Sequence, residues 1–198
     1  MVSLYTYKAL CIFFYVDWRG MLVFDRAGFL ASIVFLMLLV ISVPVSSAVY
    51  VSDSSQLTDA LKNVHEGGRI DLASGVYVGN FEVKISVQLQ CAPDVVLDGG
   101  GDGNVFNIIA PNVAVIGCHI TNWGDDLTDM DAGIFVHTTA KNFKAKDNTL
   151  RGIAFGIFVD HAESPHIIEN RIEGNLSVRS QDRGNGIHLF NVTGADVA

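Results

Sequence analysis

Compact catalytic signatures are missing from this sequence. It has no phosphate-binding glycine loop, no nucleophile elbow, no HExxH pair and no CxxC pair, which removes the chemistries those motifs carry. Cysteine is scarce: of three, only Cys91 and Cys118 lie beyond Ala48. Two cysteines can pair in an oxidising compartment or serve as small apolar core residues, but they are not a disulfide framework. Met130 is the only methionine after Ala48, which excludes a methionine-rich copper site. Basic charge is also short. Setting aside three basic and two acidic residues in the first 48 leaves ten Lys and Arg against nineteen Asp and Glu. That balance argues against a nucleic-acid partner and leaves cations or neutral sugars.

What the chain has in excess is apolar residues at its front. The mean hydropathy of +0.35 over 198 residues owes much to Gly28–Val45, GFLASIVFLMLLVISVPV, which carries no charge. Arg26 precedes this run, and Ser46-Ser47-Ala48 follows with small residues at the −3 and −1 positions of a cleavage site. A basic flank, an apolar stretch and a small-residue exit describe a secretory signal peptide over 21–48. The rival is an uncleaved anchor, because about 18 apolar residues can just span a bilayer. Met21 gives a signal of ordinary length, so residues 1–20 read as an over-extended start.

Past the leader the chain repeats. GIFVHTTAKNFKAKDNTLRG from Gly133, GIFVDHAESPHIIENRIEG from Gly156 and GIHLFNVTGADVA from Gly186 align, and NVFNIIAPNVAVIGCHITNWG from Asn104 has the same shape. Gly133 to Gly156 is 23 residues; Asn148 to Asn170 and Gly152 to Gly174 are each 22. Each unit holds short β-branched or aromatic runs broken by Gly, Asn or Pro, with no helical periodicity. The leucine-and-asparagine consensus of a leucine-rich repeat is absent. The pattern predicts an all-β fold, a right-handed parallel β-helix, with about five rungs after residue 68 at about 22–30 residues each.

Alternation sorts the strand after each repeated glycine into faces. Ile134, Val136, Ile157, Val159, Ile187 and Leu189 point inward. Phe135, Phe158 and His188 form one outward column; His137, Asp160 and Phe190 form the next. Asn148 and Asn170 fall at one turn position and are expected to stack, with Cys118 in the equivalent place one unit earlier. Residues 49–103 read as an N-terminal cap and first rungs, with a short amphipathic helix near Ser55–His65 closing the stack, and 104–198 as the repeated rungs. Gly124, Gly152 and Gly174 are taken as equivalent, so that the insertions Asp125–Asp131 and Asn175–Gly184 leave from one corner. In solenoids such insertions collect on a binding face.

That face is the expected site. It comprises Asp125, Asp126, Asp129, Phe135, Phe158, Asp160 and Arg183. Copper is the first cofactor expectation, through His137 or His188 with Asp131 or Met130 as partners; calcium in the acidic loop is the second, although the order of acids is not that of an EF-hand. A polysaccharide lyase, hydrolase or epimerase would need a charged constellation in a groove. Lys141, Lys144 and Arg151 could supply its basic partner. A surface adhesin or scaffold needs only the stack.

The runs GGRIDLASGVYVGNFEV, VVLDGGGDG, DLTDMDAGIFV and DRGNGIHLFN, in order over Val49–Ala198, resemble the NosD family, periplasmic maturation proteins of nitrous oxide reductase. VVLDGGG occurs in other β-helices; the last two runs are more specific. The resemblance implies an exported, non-enzymatic protein that works with an ABC transporter and other reductase assembly proteins on the copper centres. It also implies membership of a broader group of carbohydrate-binding and sugar-hydrolysing β-helices. Family members are longer, so the chain reads as truncated within its last rung.

Overall fold

The computed structural model describes residues 48–198; the expected over-extended start and all of the signal segment except Ala48 lie outside the described residues. After β1 (Val49–Val51) and α1 (Ser54–Asn63), the chain winds repeatedly through three short strands. The successive rungs are β2 (Gly68–Leu72), β3 (Gly75–Val78) and β4 (Phe81–Val83); β5 (Val87–Cys91), β6 (Val95–Asp98) and β7 (Phe106–Ile108); β8 (Ala114–Ile116), β9 (His119–Thr121) and β10 (Ala132–Val136). Then come β11 (Lys144–Lys146), β12 (Thr149–Gly152) and β13 (Phe155–Asp160), and β14 (His166–Ile168), β15 (Arg171–Gly174) and β16 (Ile187–Phe190), with β17 (Asp196–Val197) beginning a further turn. Like strands stack into three sheets, ordered β1-β2-β5-β8-β11-β14-β17, β3-β6-β9-β12-β15 and β4-β7-β10-β13-β16. Every ladder is parallel. This is a parallel β-helix of five rungs.

Strand register gives the length of each turn: 19 residues from Gly68 to Val87, 26 from Gln88 to Ala114, 30 to Lys144, 22 to His166 and 30 to Asp196. The expected range of 22–30 thus misses the first turn, whose connections between β2, β3 and β4 are only two residues each. The repeat of 22 is a rung without an insertion; each 30-residue turn carries one of the two insertions.

Alternation puts one apolar residue of each strand into a continuous interior stack. Ile70, Leu89, Val115, Ala145 and Ile167 align in the first sheet. Tyr77, Leu97, Ile120 and Leu150 align in the second, and Phe81, Phe106, Ile134 and Ile157 in the third. All are buried in one core, and each Val, Leu, Ile or Phe among them contributes about 1.5–3 kcal/mol by leaving water. Helix α1 starts where Asp53 accepts the Gln56 N–H at 2.8 Å, a side-chain cap for an otherwise orphan donor. Leu57, Ala60 and Leu61, spaced on one face, join the same core. Strand β4 ends its sheet, and its outward side carries an ion pair between Glu82 and Lys84, charges that discourage edge-to-edge association.

The turn from first to second sheet holds the expected asparagine stack. Asn148 Nδ2 donates to Asn170 Oδ1 at 2.9 Å and to the Val115 carbonyl at 2.9 Å, while Asn148 Oδ1 accepts the Cys118 N–H at 2.9 Å. Asn148 is fully enclosed and Asn170 half-buried. At the same corner Cys91 and Cys118 form a disulfide with Cα atoms 5.0 Å apart. A second asparagine pair, Asn142 Nδ2 to Asn112 Oδ1 at 3.0 Å, stacks where both residues have φ near +55°, a conformation asparagine tolerates better than most residues.

Candidate functional site

The third sheet carries most of the expected site, and its register settles which groups meet. Phe135 pairs with Phe158, and Phe158 with His188. The Phe135 and Phe158 rings stack at 5.3 Å and 3°, and Phe158 and His188 at 4.8 Å and 5°. Phe155 packs edge-on against both Phe158 and His188, and His137 tilts against Phe135 at 4.7 Å. The column therefore points outward, as alternation requires, yet closes on itself. Phe158 is only 4% exposed and Phe135 only 8%, so these two rings form a second, external apolar cluster with Ala132. They were expected to face a ligand; stacking has used their faces instead.

The next column behaves differently. Asp160, the neighbour of His137 across β10 and β13, lies 2.5 Å from His161 Nδ1 through its Oδ1. Asn191 Nδ2 lies 3.0 Å from His161 Nε2. Burial holds the His137 imidazole below its ordinary pKa of 6.5, partly offset by the negative charges of Asp160 and Glu82. His188 Nδ1 lies 3.0 Å from Asn185 Nδ2.

The acidic loop is largely self-satisfied. Asp126 Oδ1 accepts the Thr128 and Asp129 N–H groups at 2.7 and 3.2 Å; these bonds, Asp129's foremost, lower its pKa. Asp131 Oδ2 accepts the Asp126 N–H at 3.0 Å. Its burial, with Asp126, Asp102 and Asp129 nearby, raises its pKa. Asp125 and Asp129 remain exposed.

Two expectations need correction. His137 follows the far end of β10, six residues from Asp131, or about 20 Å along an extended strand. His188 sits two rungs above β10, about 9.5 Å along the axis at the usual strand spacing. Neither imidazole meets Asp131 or exposed Met130, so the ligand set His137, His188, Asp131 and Met130 is not assembled. Among the described residues no three His, Cys, Asp or Glu side chains group as metal ligands. Second, Gly152 pairs with Gly174, but Arg151 pairs with Thr121, which places Asn122 rather than Gly124 beneath Gly152. Both insertions still leave from the turn between the second and third sheets.

Lys144 lies on the first sheet and Arg151 on the second, and Lys141 pairs with Glu163 at 2.9 Å. These basic groups are dispersed rather than gathered in one groove.

Sequence reasoning overlooked Trp123. It enters the insertion corner from below: a Cβ on Gly152 would lie 2.3 Å from its ring. From above, Arg183 of the second insertion folds over Gly174, where a Cβ would meet Nη1 at 3.0 Å. Between them lies a recess of about 260 Å³. The signal was present in Gly152 and Gly174, which leave room for large side chains from neighbouring rungs.

No family model matches the chain. It is 46% identical over 128 residues to the "Probable ABC transporter binding protein NosD" of Pseudomonas aeruginosa PAO1, covering 65% of this chain and 30% of that one. The protein of the same name from Stutzerimonas stutzeri is 45% identical over 126 residues, covering 64% and 29%. A crystal structure of an alginate lyase from Paenibacillus sp. str. FPU-7 superposes with a TM-score of 0.61 at 19% identity, covering 76% of this chain and 58% of that chain. The chain is a NosD-like β-helix. It spans about 30% of the length of these two NosD relatives, and the lyase likeness speaks for the fold alone.

Proposed function

We propose that this NosD-like chain is exported, associates with an ABC transporter, and serves the assembly of the copper centres of nitrous oxide reductase without catalysing a reaction itself. The observation that carries the reading is the 46% identity across 128 residues to a protein named for binding an ABC transporter. The local geometry supports a non-enzymatic role. His161 and Asp160 occupy each other, Lys141 is taken by Glu163, and the outward rings stack on themselves. Copper is then cargo of the assembly, handled by the complex rather than held by His137, His188, Asp131 and Met130 together. Helix α1 closes the N-terminal end of the stack in this reading, as solenoids require.

The test is a chimera in which Val49–Ala198 replaces the matching rungs of the Stutzerimonas stutzeri protein in a strain lacking its own copy. Recovery of copper-loaded reductase, with the transporter co-purifying on the tagged chimera, is the expected result. A copper-free reductase despite a folded, exported chimera would overturn the proposal. The alternative, a polysaccharide-modifying enzyme, draws support from the β-helix lyase fold and predicts release of unsaturated or reducing ends from uronate polymers.

A further inference from the structure

The insertion corner contains a built cavity that neither the core nor the outer column explains. The second insertion is pinned to the rung below at both ends. Asn175 donates its N–H to the Gly152 carbonyl at 2.8 Å, and Gly184 to the Ile153 carbonyl at 3.0 Å. Between these anchors the loop arches over the recess, whose walls include Trp123, Gly152, Glu173, Ser180, Arg183 and Asn185. Two of these groups lack the partners their chemistry requires. Trp123 is 4% exposed, and its indole Nε1–H is buried without an acceptor among the described residues; buried donors are nearly always satisfied. Arg183 is half-buried and forms no ion pair among the described residues. The acids nearest to it in the chain are engaged elsewhere, Asp182 with Arg179 at 2.7 Å and Glu173 with Arg171 at 2.5 Å.

An unneutralised guanidinium bordering the recess calls for an acceptor that carries negative charge. We propose that the recess between Trp123 and Arg183 binds a small oxyanion, a carboxylate or a phosphate, with Arg183 supplying the charge-assisted hydrogen bonds and the Trp123 ring forming the opposite wall. A planar guanidinium suits both anions through paired N–H bonds. Asn185 and Ser180 give additional polar groups at the rim. Glu173, the one acid in the lining, is paired with Arg171. The volume of about 260 Å³ admits a small organic or inorganic anion. The site does not depend on a transporter role for the protein.

Trp18 and Trp123 are the only tryptophans, so the full chain carrying Trp18→Phe reports on Trp123 alone. Its fluorescence is titrated at constant ionic strength with sodium acetate, sodium glucuronate, sodium phosphate and, as the reference ion, chloride. A saturable emission change with a carboxylate or with phosphate, weakened at least tenfold by Arg183→Gln, is expected from the loss of a charge-assisted hydrogen bond; the arm that responds identifies the anion. Arg151→Gln, in the neighbouring recess on the other side of Gly152, leaves the affinity unchanged. Circular dichroism confirms that each variant is folded. A response equal in Arg183→Gln, a response lost only in Arg151→Gln, or no saturable response to any of the anions would each overturn the proposal.

Discussion

Replacing Asn148 by alanine probes what holds successive rungs in register. The side chain is 1% exposed and makes three hydrogen bonds: from the Cys118 N–H, to the Val115 carbonyl and to Asn170 Oδ1. Truncation strands the Cys118 N–H at a residue that is itself buried, at about 1–3 kcal/mol for an unsatisfied donor. The Val115 carbonyl loses a bond of about 1 kcal/mol. Asn170 Oδ1 keeps the Asn148 backbone N–H at 3.1 Å and loses less. The sum is about 2–4 kcal/mol. Asn170→Ala strips a half-buried group that water can reach, and costs about 1–2 kcal/mol on the same scale. Asn148→Asp is at least as damaging as alanine, because it places a carboxylate against two acceptors. Urea unfolding followed by far-ultraviolet circular dichroism measures the shifts in midpoint, with the slope unchanged. An Asn148→Ala protein within about 0.5 kcal/mol of the parent, the range of ordinary surface substitutions, would refute the stack as a source of stability.

Three further outcomes follow from the same geometry. Removing the Cys91–Cys118 link as Cys91→Ala/Cys118→Ala releases a loop spanning 27 residues and lowers stability by about 3.5 kcal/mol on a chain-entropy basis; an unchanged urea midpoint between the oxidised and mutant proteins would contradict it. His137 has a folded-state pKa depressed below 6.5 by burial, so the unfolded chain takes the proton first as pH falls. Its contribution is therefore intact above pH 6.5 and declines below that value until the folded pKa is reached, and His137→Phe flattens the acid limb of a melting-temperature profile measured from pH 7.5 to 5. Gly152→Ala drives a methyl group into the Trp123 ring, whose nearest atom would lie only 2.3 Å away. It costs about 1–3 kcal/mol as overpacking and shifts Trp123 emission, whereas an unshifted spectrum with parental stability would show that the corner is loose.

The rungs were legible because their determinants are local and repeat. Ile134, Ile157 and Ile187 each directly follow a glycine, and parallel stacking needs little more than the same alternation in each turn. The Asn148–Asn170 stack was legible for the same reason, since both residues occupy one position of a bare 22-residue rung. The first turn was not, because its corners are shorter than those of the units that defined the period. The Asn112–Asn142 stack also escaped, being split by a 30-residue turn.

The site was less legible because periodicity assigns a side chain to a face without fixing what lies over that face. Phe135 and Phe158 were placed outward correctly, but an outward column of identical rings at strand spacing is a self-complementary stack, and identical neighbours cover each other before any ligand does. The same logic acts in reverse at the insertion corner. There Arg183 comes from an insertion with no counterpart in the repeat, and Trp123 aligns with no second tryptophan in a neighbouring rung, so no column of like residues is available to satisfy them. Gly152 and Gly174, aligned by register, admit the indole from below and the guanidinium from above without providing an acceptor for either. Polar groups brought together by insertions rather than by the repeat are those the stack leaves unpaired, and in this chain that places the open chemistry at the corner between the second and third sheets rather than on the aromatic column beside it.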